Sequence, residues 1–149
     1  MPGMTSWRDT TPQPIQDDLD NMVGMAIDAA QALLAKNGEF FPFGVSITSD
    51  GEEHLLAADP GLGEKPESLA VLDSLYAGVV ASREALRGAA FVADVRVDGR
   101  DAIRVQAEQR DGGPGVEVLM RYEKKRFRKA VEYGAVTASS GPRRIWPTE

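Results

Sequence analysis

The sequence predicts an α+β domain: a two-layer fold in which a five-stranded, mostly antiparallel sheet carries two helices on one face, in the order α-β-β-α-β-β-β. Two segments place apolar residues three and four apart, as an amphipathic helix does. Five shorter segments alternate apolar and polar residues, as half-buried strands do. Asp-Gly and Gly-rich pairs between those strands mark tight hairpins, which join antiparallel neighbours. A chain of 149 residues fits one such domain. The division expected is a flexible leader over 1–13, the α+β domain over 14–123, and a basic C-terminal extension over 124–149 that docks on it.

The first helix runs from Pro14 to Lys36, with Ile15, Leu19, Met22, Val23, Ala26, Ile27, Ala30, Leu33 and Leu34 forming one stripe. Asp17, Asp18 and Asp20 fall in its opening turns, where the helix dipole favours acids, and Asn37-Gly38 supplies a left-handed stop. Phe41, Phe43, Val45 and Ile47 then alternate with Pro42, Gly44, Ser46 and Thr48, which predicts a strand with one buried face. Pro42 has no amide hydrogen and so belongs at the strand's start or beside a gap in the ladder. Asp50-Gly51 turns the chain into a return strand over residues 54–59.

After the loop DPGLGEKP, Pro66 is placed as a first helical residue, and Leu69, Leu72, Leu75, Tyr76, Val79, Val80 and Leu86 form the second stripe. Gly24 and Gly78 lie inside the two helices, as close-packing points or as tolerated defects. Three strands follow, carrying Phe91 to Val97, Ile103 to Ala107 and Val116 to Tyr122, separated by Asp98-Gly99 and by DGGPG. Their polar alternates predict one wet sheet face, with both helices on the other. Arg121 to Glu132 reads as helix or extended chain, and GAVTASSGPRRIWP as a loop or short strand ending in Ile145 and Trp146, a hydrophobic anchor.

Composition excludes several classes. There is no cysteine, so disulfide and thiolate chemistry are absent, which suits a reducing cytoplasm. No apolar run approaches the roughly 18 residues a membrane helix needs, and the N-terminal residues lack the pattern of a signal peptide. The net charge of −6 conceals an asymmetry: residues 1–120 hold 9 Lys and Arg against 20 Asp and Glu, whereas residues 121–149 hold 8 against 3. An acidic body repels a phosphate backbone, so nucleic acid is not expected as a partner except through the tail.

Pro42-Phe43-Gly44-Val45 with Asp50-Gly51 resembles the entry strand of the zinc-dependent nucleoside and base deaminases. That resemblance implies a His or Cys and a Glu opening the second helix, followed by a Cys pair. Here the helix opens Pro66-Glu67-Ser68-Leu69-Ala70, and the one histidine, His54, lies on the preceding strand. No zinc site of that type can be built. His54 reads as solvent-facing, Glu52-Glu53 and Asp17-Asp18 as solvated charges, and GLGEK as a helix entry without the Gly-Lys-Ser/Thr of a phosphate loop. No catalytic residue, metal ligand or cofactor site is assigned, and the residues point away from an enzyme.

The element order is similar to that of roadblock and profilin-like domains, which implies a non-catalytic, dimerising scaffold or regulator. Gly38-Glu39-Phe40-Phe41-Pro42-Phe43-Gly44, Asp101-Ala102-Ile103-Arg104-Val105 and Tyr133-Gly134 resemble small bacterial proteins of actinobacterial type, which carry no mechanism to transfer. Three functions stand open. One is a self-associating protein-interaction or regulatory module, immunity-like in kind. The second is a small-molecule-binding or hydrolytic domain with a pocket at Phe41, Phe43 and Tyr76. The third is a single-stranded nucleic-acid binder working through Arg121, Lys124, Lys125, Arg126, Arg128 and Lys129, with Tyr122 and Phe127 available for stacking. The same cations suit pairing with the acidic body of this chain or of a second copy.

Overall fold

A computed structural model describes residues 7–57, 68–125 and 130–147. The α+β class holds, with an entirely antiparallel sheet of six strands in the order β2-β1-β3-β4-β5-β6. A short helix α1 (Trp7–Thr10) precedes α2 (Gln13–Asn37), and then come β1 (Phe43–Thr48), β2 (Glu53–Leu56) and α3 (Ser68–Ser82). A 3₁₀ turn at Arg83–Ala85 leads into β3 (Leu86–Val97), β4 (Arg100–Gln109), β5 (Gly115–Lys125) and β6 (Ala130–Gly141). The loop over 59–66, Pro66 included, lies outside the described residues.

Helix α2 ends as its sequence dictates. Gly38 takes φ +75°, and its amide donates to Leu34 O at 2.8 Å. Ile15, Leu19, Met22, Ala26, Ala30 and Leu34 turn one face of the helix onto Val45, Ile47, Ala90, Val92, Ile103, Val105, Val116 and Val118. Burying each large side chain of that set contributes about 1.5–3 kcal/mol. The Asp98-Gly99 turn is a two-residue hairpin with φ values of +53° and +76°, and Val97 pairs directly with Arg100. Both central residues are left-handed, the geometry whose twist matches a right-twisted strand pair.

Two features of the predicted architecture are corrected. First, the helices lie on opposite faces of the sheet, so the domain has three layers where two were expected. Ala90 and Val92 of β3 pack with α2, while Ala89, Phe91 and Ala93 pack with Val71, Leu72, Leu75 and Val79 of α3. Neighbouring strand residues point to opposite faces, so the two helices must sit on opposite sides. The unbroken buried run Gly88–Ala93 carries the signal: a strand covered on both faces is apolar throughout rather than alternating. Gly44 and Ser46, placed on the wet face, are buried for the same reason.

Second, the sheet has a sixth strand. The segment expected to be an extension continues as β6, paired with β5 from Gly115–Gly141 to Lys125–Ala130, with an irregularity between Met120 and Tyr122. The C-terminal anchor is present as expected. Ile145 is fully buried in the α3-side core, and Trp146 packs beside it.

Candidate functional site

The predicted pocket is not assembled. Phe43 packs in the α2-side core, edge-on to Phe40 at 5.7 Å, while Phe41 is 47% exposed. Tyr76 lies across the sheet, edge-on to Phe91 at 4.5 Å, with its hydroxyl donating to Gln106 Oε1 at 3.0 Å and the Arg144 guanidinium 5.2 Å from its ring centre. The sheet itself separates Phe43 from Tyr76.

The basic segment is largely committed to its own chain where it is described. Arg121 Nη1 donates to Val97 O at 3.3 Å, and its Nη2 lies 3.9 Å from Asp98. Lys124 Nζ donates to Gly38 O at 2.9 Å, placing a cation at the negative end of α2. Lys125 sits 3.6 Å from Glu123 and 3.4 Å from Glu132, which raise its pKa, the hydrogen bond to Glu132 most. Arg126, Arg128 and Lys129 lie outside the described residues. His54 is half exposed at 3.4 Å from Glu52, as its strand position predicts.

The acids hold two surprises. Asp18, read as solvated, is 7% exposed and accepts from Arg87 through both oxygens, Nε at 3.0 Å and Nη2 at 3.1 Å, with Gln109 Nε2 at 3.1 Å. Glu108 is 4% exposed and accepts the three successive backbone amides of Arg144, Ile145 and Trp146 at 2.7, 2.9 and 2.8 Å. No sequence pattern reports either pairing, because the partners lie 69 and 36–38 residues apart. Among the described residues no three His, Asp or Glu side chains converge as metal ligands do.

The two edges of the sheet differ sharply. On one side β2 is four residues long, with Glu52 and Glu53 at its start, and acidic side chains on so short a strand discourage pairing. On the other side β6 runs for 12 residues, about 40 Å of strand. From Tyr133 to Gly141 it reads YGAVTASSG, with neither charge nor proline, and from Tyr133 to Ser140 every residue is exposed. The one charge within the strand, Glu132, lies near its start and is answered by Lys125. The sequence offers no more than a loop or a short strand here, because small residues exposed on both faces leave no period of two.

Among the described residues no helix is long and apolar enough to cross a membrane. Comparisons with protein-family models, with curated proteins and with solved structures find no match.

Proposed function

We propose that this chain is a non-catalytic, cytoplasmic protein-interaction module that self-associates by pairing β6 with β6 of a second copy. One observation carries the reading: the edge strand is 12 residues long, and from Tyr133 to Gly141 it has neither the charge nor the proline by which sheets close off an exposed edge. Antiparallel pairing about a two-fold axis in the middle of β6 satisfies the outward backbone groups of both strands. It also brings the exposed Val136 side chains of the two copies to the axis and keeps the two Glu132 carboxylates apart. The ion pairs and hydrogen bonds of Arg121, Lys124 and Lys125 with their own chain favour this reading over nucleic-acid binding.

Sedimentation equilibrium of the wild type and of Val136→Lys tests it. The expected result is a wild-type dimer and a monomeric variant with an unchanged circular-dichroism spectrum. A wild type that stays monomeric at about 0.1 mM, where an association of even modest free energy is visible, overturns the proposal. So does a Val136→Lys dimer of undiminished affinity.

A further inference from the structure

A groove of about 600 Å³, the volume of a small-molecule site, opens between α3 and the β1–β2 pair. Small side chains on both walls create it. Ser74, Gly78 and Ser82 recur every four residues and so form one row along α3. A Cβ added at Gly78 would meet nothing within 4 Å. Across the groove stands Ser46 of β1, whose neighbour on β3 is Ala89, itself packed on the α3 side of the sheet. Leu56, Leu75, Val79 and Leu86 supply most of the remaining lining.

The lining sets the polarity of what fits. Among the described residues no charged side chain lines the groove. Charged neighbours turn elsewhere: His54, the cross-strand partner of Ser46, lies half exposed at 3.4 Å from Glu52, and Arg83 donates to Ile145 O at 3.0 Å. Ser82 Oγ donates to Gly78 O at 3.0 Å within its own helix, and Ser74 has a partner of its own. Ser46 differs. It is 2% exposed, and its hydroxyl has no hydrogen-bond partner among the described residues. A buried hydroxyl gains by meeting a polar atom, and the groove is where such an atom can reach it.

We infer that this groove binds a small uncharged molecule with an apolar body and one oxygen group, an alcohol or a carbonyl, that meets Ser46 Oγ. A serine hydroxyl both donates and accepts, so it serves either oxygen. The apolar body lies along Leu56, Leu75, Val79 and Leu86, where removal from water stabilises it. A charged head group is disfavoured, because nothing in the lining answers its charge. Strands β3, β4 and β5 separate the groove from the β6 edge, so it operates whether or not the chain self-associates.

The test uses octanol as the probe on the full chain, followed by calorimetry and by methyl resonances. Octanol is expected to bind saturably and to shift the methyls of Leu56, Leu75 and Val79, while those of Ile103 and Val105 in the α2-side core stay in place. Octanoate and octylamine should each bind more weakly by about tenfold or more. Ser46→Ala keeps a small side chain and removes the hydroxyl, and it should weaken octanol by about three- to tenfold. Monomeric Val136→Lys should bind as the wild type does. Absence of saturable binding at about 1 mM octanol, which fills any site of ordinary affinity, overturns the inference. So does undiminished affinity in Ser46→Ala, equal binding of octanoate or octylamine by the wild type, or resonance shifts confined to residues outside the groove.

Discussion

The Tyr122 hydroxyl reaches over β4 and donates to Asp94 Oδ1 at 2.6 Å, joining β5 to β3 across the strand between them. Tyr122 is 6% exposed, and its pKa is driven upward by burial first and then by the hydrogen bond to Asp94, so it remains a donor. Asp94 has its own pKa raised above 3.8, because the desolvation of its half-buried carboxyl outweighs the stabilising tyrosine bond.

That raised carboxyl sets a pH dependence. The folded state holds the Asp94 proton more tightly than the unfolded state does, so its contribution to stability is fully present below pH 3.8. It is lost as pH rises through the folded pKa, the reverse of a salt-bridged aspartate. Asp94→Asn should remove this component, and the difference in melting temperature between variant and wild type should drift in the variant's favour as pH rises above 4. Tyr122→Phe should push the Asp94 pKa higher still and cost about 1–3 kcal/mol by leaving the carboxyl without its donor. Urea melts and an NMR titration of Asp94 measure both effects.

The Asp18–Arg87–Gln109 cluster ties α2 to β3 and β4. The Asp18 side chain is 10% exposed and that of Arg87 33%, so solvent relieves part of any lost pairing. Asp18→Ala should destabilise by about 2–3 kcal/mol, and Asp17→Ala by under about 0.5 kcal/mol, the usual surface value. Chemical denaturation of the two variants separates a buried pair from the solvated acid beside it.

Glu108 fixes the C-terminal turn through three amides. Glu108→Gln keeps one carbonyl oxygen and loses the charge, and should cost about 1–2 kcal/mol. Its sharper signature is faster hydrogen exchange at the amides of Arg144, Ile145 and Trp146, while the amides of α2 keep their protection. Ile145→Ala, which empties a fully buried site, should cost about 2–4 kcal/mol.

Gly24 and Gly78 are tolerated defects. A Cβ built at either meets nothing within 4 Å, and both residues are exposed. Gly24→Ala and Gly78→Ala should each stabilise by up to about 1 kcal/mol in thermal melts. Gly115→Ala gives the opposite result, because its Cβ would lie 2.4 Å from Pro142 O and 2.7 Å from Gly141 O. Backbone cannot swing aside as a side chain does, so a loss of about 3 kcal/mol or more is expected.

By itself the sequence determined what depends on neighbours a few residues apart. The α2 stripe and its Gly38 stop, the Asp98-Gly99 hairpin and the alternation of β4 and β5 are local physics, and they were legible. The face on which each helix lies was not, because an apolar stripe shows that a helix is covered and not which side of the sheet covers it. Tertiary structure decided that through β3, whose two faces are both buried. It also turned Asp18 and Glu108 from ordinary acids into buried acceptors, and it added β6, which buries little and so carries no hydrophobic period. Long-range pairing leaves its energy in contacts between distant residues, where no short stretch of sequence records it.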